Sequence, residues 1–278
     1  MIALPLALAA FVAAADGPPA PAVAPPSDAR EPAPGAAPPA AAPSLPGEAP
    51  PASAPFAPDE RMDFSVDYLG ITVGKARISV GRPEGSLQPV FLDARTSGVV
   101  SFVDVREHLA SYLDVRTGLP QSSLLDAYEP GGYHHTDTAR FDRGAGKATV
   151  RELGKHDNTY EIDVPEGTLD FVALVFRLRT LPLEPGTSLP FQVLTGRTLH
   201  AVTADVMGRE KVETGAGTFP TVKVRVPTGL TGKFSEKNPT IIWFSDDARR
   251  IVVRLSTDFA IGRALAGLSS YQPGKSRD

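Results

Sequence analysis

Beyond residue 59 the chain alternates apolar and polar positions in short runs. Phe64, Val66 and Tyr68 alternate with Asp63, Ser65 and Asp67, a period of two that predicts a half-buried strand. Ile71 and Val73 continue the apolar phase after Gly70, but past Gly74 it moves to Ala76, Ile78 and Val80. A one-residue phase shift at a glycine predicts a β-bulge.

Further runs follow, each bounded by turn chemistry. Leu109 to Val115 ends at Thr117-Gly118, and His134 to Phe141 is followed by Gly144-Ala145-Gly146, a predicted hairpin loop. Phe191 to Leu194 and Leu199 to Val206 flank Thr195-Gly196, a second hairpin. Val222 to Val226, Ile241 to Phe244, Ile251 to Leu255 and a last strand near Leu265 to Tyr271 complete the series.

One segment breaks the pattern. LDFVALVFRLRTL, from Leu169, carries apolar residues on nearly every side, with start signals at Thr168 and Asp170 and a stop at Pro182. It predicts one substantial helix, buried on most of its circumference. The expected class is mainly β: an antiparallel β-barrel, or a curved half-barrel or sandwich, with that one buried helix plugging the barrel or lying along the curved sheet.

The first fifty-eight residues read differently. Residues 1–15 are an uncharged apolar run closing on Ala13-Ala14-Ala15, the pattern of a cleavable signal peptide, although no Lys or Arg precedes it. Residues 16–58 hold more than half of the 28 prolines, with alanine filling most of the rest. Such a stretch cannot bury enough apolar surface to offset its ordering entropy, so a disordered, polyproline-like tether is expected. Residues 59–278 remain as a single β-rich domain. The expected location is outside the cytoplasm, periplasmic or extracellular.

Charge narrows the partners. The net charge is −4, and Asp16, Asp28, Glu31 and Glu48 against Arg30 place most of it in the tether. The near-neutral domain has no Lys/Arg run, which removes the footprint of nucleic-acid binding and, on the same ground, argues against a polybasic membrane-surface patch. No transmembrane segment is expected after leader cleavage. The chain has no cysteine, so disulfides, thiolate nucleophiles and thiolate metal sites are all excluded.

Four pieces in order carry a resemblance: YLGITVGKARI (Tyr68 to Ile78), RTLPLEPG (Arg179 to Gly186), VMGREKVETGAGTFPTVKV (Val206 to Val224) and IIWFSDDARRIVVRL (Ile241 to Leu255). From roughly Asp59 to Gln272 the chain resembles the bacterial family of domain of unknown function 3108. It departs from that family at Gly215, where a proline is usual. The resemblance implies an exported, β-rich envelope protein and brings no catalytic set.

Candidate chemistry is sparse. His134 and His135 are adjacent, and on a strand they point to opposite faces, so they cannot grip one metal. Asp246-Asp247-Ala248-Arg249-Arg250 could position a polar substrate, but its residue types are those of a tight turn, with Arg249 paired locally. Gly208, Gly215 and Gly217 lack the Lys-Ser/Thr ending of a phosphate loop. Asp63 and Asp67 read as the polar face of a strand. Trp243, the only tryptophan, is either a ligand wall or core. Trp243, Arg249 and His134 are therefore the binding candidates, with no catalytic residue, metal or cofactor expected. The leading reading is non-enzymatic binding of a lipid-like or apolar ligand in a β-barrel-type domain. A structural or assembly adaptor that engages another envelope protein is the alternative. A hydrolase acting on an envelope polymer requires two carboxylates, or a histidine and an acid, converging in one cleft.

Overall fold

The computed structural model describes residues 56–97, 105–129, 133–154, 157–228, 235–258 and 263–275. The expected leader and nearly all of the tether lie outside them. The described chain begins at Phe56, which packs edge-on against Phe176 at 4.9 Å.

Eight strands come first: β1 (Arg61–Tyr68), β2 (Ile71–Val80), β3 (Leu87–Thr96), β4 (Arg106–Asp114), β5 (Pro120–Glu129), β6 (Tyr133–Asp142), β7 (Lys147–Leu153) and β8 (Asn158–Asp163). Helix α1 (Phe171–Thr180) follows, then β9 (Ser188–Thr195), β10 (Thr198–Thr214), β11 (Gly217–Thr228), β12 (Ser235–Ser245), β13 (Val252–Asp258) and β14 (Arg263–Gln272). The strands form one sheet in the order β8-β7-β6-β5-β4-β3-β2-β1-β14-β13-β12-β11-β10-β9. Two antiparallel meanders are thus joined where β1 pairs with β14.

Alternation decides which side is core. Met62, Phe64, Val66 and Tyr68 of β1, Ile78 and Val80 of β2, and Val90, Leu92 and Ala94 of β3 are all buried. With Val222, Val224 and Val226 of β11 and Ile242 and Phe244 of β12 they form one cluster around α1. The predicted bulge is present: Val66 pairs with Gly74 and Asp67 with Thr72, so Val73 is the extra residue. The β1–β2 connection is two residues long, with φ of 52° at Leu69 and 80° at Gly70. Positive φ at both positions is the mirror-image turn that suits a twisted hairpin. For a leucine it costs about 1–2 kcal/mol.

Helix α1 forms as its sequence requires. Asp170 caps it, accepting from Ala173 N at 2.8 Å, and Arg177 and Arg179 occupy its last turn. Seven of its ten residues are buried. The inward face of the sheet therefore closes on a helix rather than on an open lumen.

The sheet does not close through backbone hydrogen bonds, since β8 and β9 are its two edges. Leu169 covers part of β9, donating to Gln192 O and accepting from Leu194 N, each at 2.8 Å. Side chains join the remainder of the seam. Leu194 is buried with Phe141, Ala148, Val150 and Val164. Arg197 Nη1 donates to the Tyr160 hydroxyl at 3.0 Å.

Candidate functional site

The strongest constellation lies on the face of β1–β5 turned away from α1. There the register stacks one residue per strand into rows. Asp63 stands opposite Arg77, Arg77 opposite Asp93, Asp93 opposite His108, and His108 opposite Asp126. Acid and base alternate along this row, so it neutralises itself. Arg77 Nε donates to Asp63 Oδ1 at 2.7 Å, and Arg61 Nε and Ser270 Oγ reach Asp63 Oδ2 at 2.9 and 3.1 Å. Partial burial pushes the Asp63 carboxyl up, but the hydrogen bonds from Arg77 and Ser270 and the charges of Arg77 and Arg61 outweigh it and hold it low. His108 Nδ1 lies 2.7 Å from Asp93 Oδ1. Asp126 Oδ1 lies 2.7 Å from His134 Nε2 and accepts from Thr136 Oγ1 at 2.8 Å. For Asp126 also, burial raises the carboxyl, and the bonds from His134 and Thr136 reverse the direction to a lowered value.

The neighbouring row is built differently. Lys75 stands opposite Arg95, and Arg95 opposite Arg106. Three cations thus occupy directly opposed positions on three adjacent strands, and all three are exposed. Like charges directly opposite are destabilising. Among the described residues no carboxylate comes within ion-pair distance of Lys75 or Arg95. The row continues as Tyr128 and His134. Arg106 lies over the Tyr128 ring at 4.8 Å, and His134 stacks on the same ring at 4.0 Å.

The two rows line a groove of about 820 Å³, and the β1–β3 backbone at Phe64, Ala76 and Ala94, whose side chains point into the core, runs beneath it. The groove lies within the size range of ligand pockets; acids and bases alternate along one wall, and the Lys75–Arg95–Arg106 wall is the one whose charge suits an anion. A second cleft at the seam, of about 70 Å³, is lined by Val150, Phe171, Leu194 and the Asp170 carboxyl. It is well below the volume of a ligand pocket.

None of the three sequence candidates lines the groove; His134 adjoins it, as the partner of Asp126 and Tyr128. Trp243 lies across the sheet on β12, between Lys223 at 5.4 Å and Arg254 at 5.9 Å, and donates from Nε1 to Glu210 Oε1 at 2.5 Å. Arg249 sits in the β12–β13 turn, where its backbone N donates to Asp247 Oδ1 at 3.0 Å and its guanidinium pairs with the other oxygen. The structure does not bring these three together. His135 turns away from His134 and stacks on Tyr133 at 5.4 Å. Lys75, Arg95, Arg106, His108, Asp93 and Asp126 escaped the sequence reading because no local motif links them.

A curled antiparallel sheet wrapped on a helix, with a charged groove on its outer face, defines the class as β-barrel-like. Within it the chain belongs to the family described as Protein of unknown function (DUF3108), whose profile matches residues 63–268. The chain is similar in fold to a β-barrel-like protein of domain of unknown function DUF1849 from Brucella abortus. That similarity has a TM-score of 0.54 and 10% identity, and covers 80% of this chain and 100% of the other. Proteins from Parabacteroides distasonis (13% identity, 78% of this chain and 98% of that one) and Bacteroides fragilis, the latter with a YmcC-like fold (11% identity, 78% and 98%), superpose at TM-scores of 0.34 and 0.35. No curated protein matches the sequence. Among the described residues no helix is long and apolar enough to cross a membrane.

Proposed function

We propose that this domain is a non-catalytic ligand-binding module of the cell envelope, which holds the anionic head of a lipid-like ligand in the outer groove of β1–β5. The observation that carries the reading is the row Lys75, Arg95 and Arg106. Opposing Lys75 to Arg95 across neighbouring strands, with no carboxylate in ion-pair reach of either among the described residues, costs folding energy, and an anion seated beside them returns it. The Tyr128 ring, which lines the groove, offers apolar contact to the rest of an amphiphile. Helix α1 fills the inward face, so the ligand is assigned to the outside of the sheet. The apolar leader and the Pro/Ala tether support an exported location.

Titration calorimetry with short-chain, soluble phosphatidylglycerol and phosphatidylcholine tests this. The anionic lipid is expected to bind and the zwitterionic one to bind at least tenfold more weakly. Arg95→Gln should cost about tenfold or more in affinity, the scale of one hydrogen bond to a charged group. It should leave the fold as stable or slightly more so, because a like-charge contact is relieved. Equal binding of the two headgroups, or an Arg95→Gln variant that binds as well as the parent, refutes the proposal.

A hydrolytic reading has one observation in its favour: His108 and Asp93 converge in the groove at 2.7 Å. With Nδ1 donating to the carboxylate, Nε2 is left as a base. Hydrolysis of a fluorogenic ester or phosphodiester that disappears in His108→Gln would favour this reading. The binding proposal expects no turnover in either protein.

A further inference from the structure

The end of the sheet nearest the cationic row has a second feature. The β1–β2 hairpin tip exposes two large apolar side chains, Leu69 at 62% and Ile71 at 54%. Leu69 holds φ of 52°, a conformation that asparagine or glycine adopts far more readily. A strained, outward leucine is a poor choice for a solvated turn. Tyr133, at the start of β6 and the same end, is 45% exposed.

Placement relates the tip to the charges. Lys75 lies four residues into β2 from Ile71, roughly 13 Å at the rise of a strand. Arg95 is one residue from the end of β3, and Arg106 is the first residue of β4. The cations therefore form a collar behind the apolar tip. Between them, Asp67 is held by Thr72 Oγ1 at 2.6 Å.

We infer that this end of the domain docks on an anionic lipid leaflet, with Leu69 and Ile71 entering the interface and Lys75, Arg95 and Arg106 meeting its headgroups. Apolar residues ahead of a basic and aromatic collar reproduce the polarity profile of a bilayer surface. Two exposed aliphatic side chains are too small a patch for a stable protein interface, which needs about 800 Å² from each partner. The inference rests on the same cationic row as the proposed groove and assigns the source of its ligand: a head group drawn from the leaflet on which the domain stands.

The test is vesicle co-sedimentation of the chain from Asp16 onward, the form left by leader cleavage. Vesicles of phosphatidylglycerol mixed with phosphatidylcholine should retain the protein, and vesicles of phosphatidylcholine alone should not. Each cation near the surface contributes roughly fivefold in affinity at low salt, so binding should fall steeply as salt rises. The double variant Leu69→Asn with Ile71→Thr should lose tenfold or more in partitioning. Because both side chains are exposed and asparagine suits the turn, the double variant should melt no lower than the parent, so the loss cannot be assigned to unfolding. Unchanged partitioning of the double variant, equal retention by neutral vesicles, or no retention by any vesicle overturns the inference. Soluble phosphatidylglycerol separates the two proposals. If the double variant binds it normally but leaves the vesicle, both stand. If neither protein binds it while docking still depends on the tip, only the groove reading falls.

Discussion

Replacing Arg179 by alanine is expected to lower the unfolding free energy by about 3–5 kcal/mol, the cost of stranding one member of a buried ion pair. The Arg179 side chain is fully buried and that of Glu60 is 2% exposed. Nη1 and Nη2 donate to the two Glu60 oxygens, each at 2.9 Å. The remaining capacity is used as well. Arg179 Nε donates to Arg250 O and Nη2 to Arg249 O, both at 3.0 Å, and the Tyr271 hydroxyl donates to Glu60 Oε1 at 3.1 Å. Burial first, and then the Glu60 charge, pushes the Tyr271 phenol up to about 12, which keeps it a neutral donor. Phe56 and Phe176 each present a ring 5.3 Å from the guanidinium. This one side chain ties the end of α1 to the approach to β1, to the β12–β13 turn and to β14. Glu60→Ala should cost a similar amount. The double variant Glu60→Ala with Arg179→Ala should cost much less than the two single changes together, because no charge is left unpaired. Urea unfolding of the four proteins measures the cycle. Single changes below about 1 kcal/mol, or losses that simply add, would show that the pair does not anchor the helix.

The second large effect depends on pH. Burial pushes the Asp170 carboxyl up to about 6, against the opposing hydrogen bonds of Ala173 and Ser111. Its side chain caps α1 and accepts from Ser111 Oγ at 2.6 Å. The usual carboxyl value is 3.8, so the folded state holds this proton more tightly than the unfolded state does. The associated stability is complete below about pH 4 and is lost as pH rises through about 6. At neutral pH the domain has lost roughly 3 kcal/mol of the stability this proton contributes in acid. Asparagine is an equally good cap without the charge. Asp170→Asn is therefore expected to raise the melting temperature at pH 7.5, change little at pH 4, and flatten the stability profile between them. Asp63, Asp114, Asp126 and Asp247 are held low, so their contribution has the opposite sign and is lost only in more acidic solution. Melting curves at half-unit pH steps resolve the two windows. Parallel profiles for the parent and Asp170→Asn would remove Asp170 as the source.

Features that depend on near neighbours in the chain were legible. The helix was marked by Asp170, a run apolar on every side and Pro182, and α1 spans Phe171–Thr180. The phase shift at Gly74 was the Val73 bulge. Ser, Asp and Arg in the segment after Phe244 form a turn closed by their own side chains, with Ser245 Oγ donating to Asp247 Oδ1 at 2.8 Å. Some strands left weaker traces. Strand β3 contains Pro89, and β8 (NTYEID) is polar and largely exposed. Their pairing comes from the neighbours beside them rather than from their own propensity.

The sequence by itself determined a β-rich domain of alternating strands around one apolar helix, because burial of one face imposes a period of two locally and needs no knowledge of the partner strand. Only the tertiary structure decided which strands became neighbours and in what register. That choice placed Lys75, Arg95 and Arg106 in one line, paired His108 with Asp93, and sent Trp243 and Arg249 elsewhere. Register is set jointly by turns and by the fit of the whole core, so charges distant in sequence meet only once every strand has found its place.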